Sequence, residues 1–296
     1  MKYAFFLGCT VPVRNMNYEL AARKVAEQLG IELVDSDAFT CCGYPMKGVE
    51  HSTALLLAAR NLITAQEMGL DILTLCTACS GTLTEASKTL NEDEALRQEV
   101  NEQLERSVGK RYDGGVRVRH IARVLYEDVG LEQLATQVRV PLDDFRFGAQ
   151  YGCHYLKPSE VFDGFDDPEV PQTLDELIAV TGAEAVDYTT KLECCGGGLL
   201  AMDEEVALAM PYAKLHELSE AQVDAMVLVC PFCDIMYEYN QRRIGRAFDD
   251  RLRLPVLFYP QILGLALGIP AEELGFRLNR VKSRGLMKKL DALQPA

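Results

Sequence analysis

Ten cysteines fall into two sets of five, and both sets repeat one order of spacing. The first is Cys9, the doublet Cys41–Cys42 and the pair Cys76 and Cys79; the second is Cys153, the doublet Cys194–Cys195 and the pair Cys230 and Cys233. As patterns they read C-x31-CC-x33-CxxC and C-x40-CC-x34-CxxC, and each doublet runs into a glycine, Gly43 or Gly196. A repeat of five thiols constrains the chain to two similar lobes, each closing around its own set. With 296 residues, 48% of them apolar, the chain can bury one large core or two of ordinary size. The repeat predicts two lobes, residues 1–145 and 146–296.

Hydrophobic periodicity repeats with the cysteines. In the first half, Tyr3–Leu7 reads as a strand leading to Cys9. A helix over Tyr18–Leu29 follows, then a strand over Ile31–Val34 and the doublet in a loop. A helix over His51–Met68 and a strand over Asp71–Leu75 deliver Cys76. The second half matches: Phe147–Tyr151 leads to Cys153, Leu174–Val180 is helical, and Ala185–Tyr188 precedes the second doublet. A helix over Glu204–Leu218 and a strand over Ala225–Val229 deliver Cys230. Val116–Gly130 and Leu254–Gly268 close the two halves alike. Alternating strands and helices predict an α/β fold with a small parallel sheet and flanking helices in each lobe. Ligands of such sheets lie beyond the carboxyl ends of the strands, where the single and CxxC cysteines fall.

Composition narrows the function. A net charge of −14 opposes a nucleic-acid backbone as partner. No apolar stretch reaches the 18 or so residues of a membrane span, and the run before Cys9 is too short for a secretory signal. These features predict a cytoplasmic chain, where thiols serve as metal ligands or redox groups more often than as disulfides. The tail after Leu274 differs from the acidic remainder, with Arg277, Arg280, Lys282, Arg284, Lys288 and Lys289. It reads as a solvated terminal helix or as a docking segment for an acidic partner.

A CxxC pair suits zinc, iron–sulfur clusters and thiol redox chemistry. Structural zinc and a cubane cluster each need four ligands, so five thiols per lobe leave one over, twice. Two zinc sites with spare cysteines, or dithiol chemistry at Cys230-Pro231-Phe232-Cys233, leave the doublets unexplained.

The duplicated motif resembles the cysteine-rich CCG domain, and the chain as a whole resembles the B subunit of heterodisulfide reductases. Tyr3-Ala4-Phe5-Phe6-Leu7-Gly8-Cys9, Tyr151-Gly152-Cys153-His154 with Lys157-Pro158, and Val229-Cys230-Pro231-Phe232-Cys233 carry the likeness. The resemblance implies two noncubane [4Fe–4S] clusters. One would be held by Cys9, Cys41, Cys42, Cys76 and Cys79, the other by Cys153, Cys194, Cys195, Cys230 and Cys233. It further implies the catalytic component of an oxidoreductase that reduces a small disulfide, such as the mixed disulfide of coenzymes M and B. Two clusters facing each other across a cleft would each take one sulfur. Gly43-Tyr44-Pro45-Met46 departs from methanogen sequences, which tend to carry proline where Gly43 stands. A bacterial relative working on another sulfur substrate, and a non-catalytic electron-transfer component, are the alternatives.

Release of thiols needs protons. His154, beside Cys153, and Lys157, one helical turn on, are the candidates for proton donation or for attracting an anionic substrate group. His51 is a lesser candidate, and His120 and His216 read as ordinary helix residues. No strand leads into a Gly-x-Gly-x-x-Gly turn followed by an acidic residue, so neither nicotinamide nor flavin is expected in this chain. The resemblance then supplies the electron route: a ferredoxin-like iron–sulfur C subunit fed by a flavin-containing A subunit.

Overall fold

A computed structural model describes residues 1–282 and 284–293. Two four-stranded sheets form, each wholly parallel. The first has the order β2-β1-β3-β4, with β1 Lys2–Phe6, β2 Glu32–Val34, β3 Ile72–Thr74 and β4 Val118–His120. The second repeats it as β6-β5-β7-β8, with β5 Arg146–Gln150, β6 Glu184–Val186, β7 Ala225–Leu228 and β8 Val256–Phe258. The register repeats as well. Ala4 pairs Ile72 in the first sheet, and Gly148 pairs Met226 in the second. The α/β class and the two lobes are as the alternation of elements predicts.

The helices begin and end on local chemistry. Glu50 caps the His51–Met68 helix, its carboxylate accepting the backbone N–H groups of Ser52 and Thr53, and Gly69 ends it at φ 66°. Asp203 caps the Glu204–Glu220 helix through the N–H of Val206. Side-chain acceptors at such ends satisfy donors that the helix leaves free. The long helices Thr77–Glu92 and Glu94–Val108, which follow the first CxxC, are among those beyond the sequence reading. Their inward faces carry Leu83, Ala86 and Leu90, then Val100 and Leu104, all buried.

The lobes do not have separate cores. One apolar cluster runs through both, from Tyr3, Tyr18 and Val25 to Met226, Phe258 and Ile262, while a second is confined to the first lobe. The Met16–Gln28 helix packs against Tyr259–Ala266 of the other lobe. There the Tyr18 ring stacks on Phe258 at 4.0 Å, and its hydroxyl donates to the Val229 carbonyl at 3.3 Å. Such a shared core makes independent lobe motion costly.

The basic tail folds back on the chain. In the Arg284–Leu293 helix, Leu286 and Leu290 are buried. Lys289 donates to Asp224 at 2.6 Å and to the Asp144 carbonyl, and Arg280 lies 3.6 Å over the Tyr239 ring. The acidic group that meets Lys289 belongs to this chain. Among the described residues, no helix is long and apolar enough to cross a membrane.

Candidate functional site

All ten cysteines are free thiols, in the loops beyond the strands or in the first turns of the helices that follow them. Cys9 and Cys153 follow β1 and β5; Cys76 and Cys230 follow β3 and β7. Cys76 and Cys230 also cap the helices starting at Thr77 and Pro231, which places Cys79 and Cys233 in first helical turns. The turns that carry the single cysteines come close to these thiols. A Cβ on Gly8 would lie 3.1 Å from the Cys79 sulfur, and one on Gly152 would lie 3.5 Å from that of Cys233.

The glycine after each doublet is required twice over. Gly43 has φ 93° and Gly196 φ 73°, and a Cβ at either would sit 2.5 Å from a helix carbonyl, that of Ala54 or Ala207. Only glycine permits both the backbone twist and the approach. Each glycine opens a short turn, Tyr44–Met46 or Gly197–Leu199.

The thiols form a row that crosses the lobes. Thiol acts on thiol in the order Cys41–Cys42–Cys79–Cys76 in the first lobe and Cys230–Cys233–Cys195–Cys194–Cys153 in the second, and Cys76 and Cys230 act on each other between them. Cys9 joins through its field on Cys41. The outer members Cys9, Cys153 and Cys194 are exposed and Cys41 is half-buried, whereas the six inner thiols are buried. Among the described residues, no three Cys, His, Asp or Glu side chains close on a point as the ligands of a single ion do.

Three members of the row are acidified. Contact with Cys79 lowers Cys42 to about 7, contact with Cys233 and Cys76 holds Cys230 well down, and contact with Cys153 does the same for Cys194. Each lies between two thiols pushed upward: Cys41 and Cys79, Cys76 and Cys233, Cys195 and Cys153. Each thiolate in such a row disfavours ionisation of its neighbours. Ionising all five thiols of a set calls for several positive charges among them. A multinuclear metal group supplies these, so the donor set fits an iron–sulfur cluster.

Around the row, some candidates gather and others do not. His154 is half-buried, and its Nε2 lies 2.8 Å from the Tyr44 hydroxyl of the first lobe; burial lowers its pKa. Burial, with the field of Cys153 next, raises Tyr44 to about 12. The lysine whose field reaches His154 is Lys47, ion-paired with Glu85. Lys157 is exposed, at the end of the Cys153–Leu156 turn. His51 is exposed at its helix start, and His216 lies in its helix 3.2 Å from Asp250. His120 departs from expectation. It ends β4, buried, with Nε2 donating to the Val229 carbonyl at 3.0 Å and Nδ1 accepting from Ala122 N–H. It therefore crosses the lobe boundary to the residue before Cys230.

Tyr44 and Lys47 were missed as site residues, although their segment stood out for its departure after the first doublet. The gap that Tyr44 and Phe232 line with Cys9, Cys42, Cys76 and Cys79 is about 20 Å³, room for a water molecule but not for a disulfide. A larger cavity of about 530 Å³ opens beside Cys9 and Cys41.

The model of the cysteine-rich CCG domain matches residues 3–84 and again residues 147–238. The B subunit of the ferredoxin/F420H2-dependent CoB–CoM heterodisulfide reductase of Methanosarcina acetivorans is 36% identical over 98% of this chain and 97% of that one. The chain belongs to the family of heterodisulfide reductase B subunits. A protein of Archaeoglobus profundus named for its likeness to that B subunit is 37% identical over 92% of this chain and 93% of its own. The family likeness extends to the membrane anchor subunit of an 8-methylmenaquinol:fumarate reductase of Wolinella succinogenes, 30% identical over 96% of this chain and 99% of that one. Among solved structures, a hypothetical protein from Helicobacter pylori shares the fold with a TM-score of 0.79 and 17% identity; the match covers 96% of this chain and 52% of that one. As a homologue of heterodisulfide reductase B subunits, the chain sits among components of multi-subunit reductases.

Proposed function

We propose that this chain is the catalytic iron–sulfur component of a heterodisulfide reductase complex, cleaving a small disulfide, CoM-S-S-CoB or one like it, into two thiols. The observation that carries the reading is the thiol row, in which Cys76 and Cys230 bring two complete five-cysteine sets side by side. Cys9, Cys41, Cys42, Cys76 and Cys79 would hold one noncubane [4Fe–4S] cluster, and Cys153, Cys194, Cys195, Cys230 and Cys233 the other. The lobes divide at residues 145 and 146 in this reading. When bound, such clusters supply single electrons and iron that can take sulfur. Two sets side by side match a cleavage that needs two electrons and leaves two sulfurs.

The chain's own residues handle protons and position. His154 and Tyr44 share a hydrogen bond beside Cys153, and burial keeps the imidazole neutral, so one proton is held between Nε2 and the phenolic oxygen for a departing sulfur. Lys157, exposed on the same turn, would attract an anionic group of the substrate. Burial of the six inner thiols keeps bulk solvent from the middle of the row. Electrons would come from a ferredoxin-like iron–sulfur C subunit fed by a flavin-containing A subunit, with neither flavin nor nicotinamide bound here, and the complex would be cytoplasmic.

The likeness to the Wolinella fumarate reductase component favours a second reading, an electron-transfer component that cleaves no disulfide. Anaerobically purified protein separates the two. About eight irons and eight acid-labile sulfides per chain, with turnover of a mixed disulfide by a reduced viologen, support the disulfide reductase. Full iron without turnover of any disulfide supports electron transfer alone. Zinc without sulfide rules out both.

A further inference from the structure

The two lobes differ at one buried position in a way their shared fold does not require. Lys214, on the Glu204–Glu220 helix, is 0% exposed. Its ammonium donates to the carbonyls of Lys191 and Glu193, each at 2.9 Å, and to the Gln150 side-chain oxygen. The rings of Tyr188 and Tyr237 lie 5.9 and 5.8 Å away. All three of its protons go to neutral acceptors. The acidic groups whose fields reach it are Cys233, Cys195, Cys194 and the exposed Glu193. Gln150 links the ammonium to the thiols, because its amide donates to the Cys233 sulfur at 3.6 Å.

The first lobe fills the same place without charge. Lys214 stands nineteen residues after Cys195, and Asn61 stands nineteen after Cys42. Asn61 is also 0% exposed, accepts from Thr40 N–H at 2.7 Å and donates to the Cys41 carbonyl at 3.0 Å. It thus holds the first doublet loop as Lys214 holds the second. The partner position changes with it: Gln150 lies three residues before Cys153, and Phe6 three before Cys9. A neutral amide suffices to hold the loop, so the ammonium adds a charge that the loop does not need.

We propose that Lys214 is a positioning cation for electrons, making the second-lobe thiol set the stronger electron acceptor of the two; this rests on the two-cluster reading. A buried cation favours the more negative state of whatever the neighbouring thiols hold, and the low local dielectric lets that field act over several ångströms. Three acceptor oxygens and no donor surround Nζ, the setting of an ammonium with its three N–H groups. Asn61 exerts no such field on the first set. An electron entering the chain would settle first on the second set, beside His154.

The test is an anaerobic redox titration of the full chain followed by electron paramagnetic resonance, after iron and sulfide have been measured. Signals are assigned by Cys9→Ser and Cys153→Ser, each of which perturbs one set. The wild type is expected to show two midpoints, with the second-set signal the more positive. Lys214→Gln, which can still hydrogen-bond the loop, should shift that midpoint negative and leave the other in place, and Lys214→Arg should restore it. Equal midpoints in the wild type, or a more positive first set, overturn the proposal even if no Lys214 variant folds. So does a Lys214→Gln protein with full iron and unmoved midpoints. A wild type without iron and sulfide overturns the two-cluster reading, and this inference with it.

Discussion

The hydroxyl of Tyr44 lies 2.8 Å from Nε2 of His154, tying the turn after the first doublet to the turn that carries Cys153. The rings meet edge to face at 4.9 Å, so Tyr44→Phe removes the hydrogen bond and keeps the packing. Stability should fall by about 1 kcal/mol, and disulfide turnover with a reduced viologen by about tenfold or more if the pair delivers protons. Unchanged turnover would reduce the pair to a link between lobes.

Replacing the glycine after either doublet should damage one lobe selectively. Gly43→Ala and Gly196→Ala each place a methyl 2.5 Å from a helix carbonyl at positive φ. The strain is of order 1–3 kcal/mol, and relieving it moves the doublet. Thermal unfolding should shift downward and iron per chain should drop by about half. Full iron in both variants would show that the turns are more forgiving than this geometry.

Single thiol substitutions test whether the row holds two groups or one. Cys41→Ser and Cys194→Ser should each lower iron from about eight to about four per chain, with different residual spectra. Loss of all iron from either variant would mean that the closeness of Cys76 and Cys230 makes the sets interdependent.

Acid should weaken the protein through His120. Burial lowers its folded pKa to about 4 from an ordinary 6.5. Between those values the unfolded chain takes up a proton that the folded chain refuses, so stability falls as pH drops through this window. The loss reaches about 3 kcal/mol near pH 4, and this group adds none below that. Burial lowers His154 as well, which adds to the same slope. Urea midpoints at pH 7 and pH 4.5 should lie closer together in His120→Gln than in the wild type; an equal separation would exonerate His120.

Much of the fold was legible because it is local. The predicted His51–Met68 helix has the observed bounds, set by a Glu50 cap and by Gly69 at positive φ. The strands before Cys9, Cys76, Cys153 and Cys230 were readable because short apolar runs end abruptly at a cysteine. The helices over 77–92 and 94–108 escaped notice. Thr77-Ala78-Cys79-Ser80-Gly81-Thr82 is a weak helix former, and burial against the Cys153–Leu156 turn holds it helical.

For the site, the sequence by itself determined the thiols, their grouping by fives and their location near strand ends, since spacing and strand periodicity act within one lobe. Only the tertiary structure decided how the groups meet. Cys76 against Cys230, Tyr44 against His154 and His120 against Val229 each join residues more than a hundred positions apart, through one core that both lobes share. The same holds for the charge at Lys214. Its residue type is plain in the sequence, but its burial beneath one thiol set, where the other lobe has Asn61, depends on packing that no local pattern encodes.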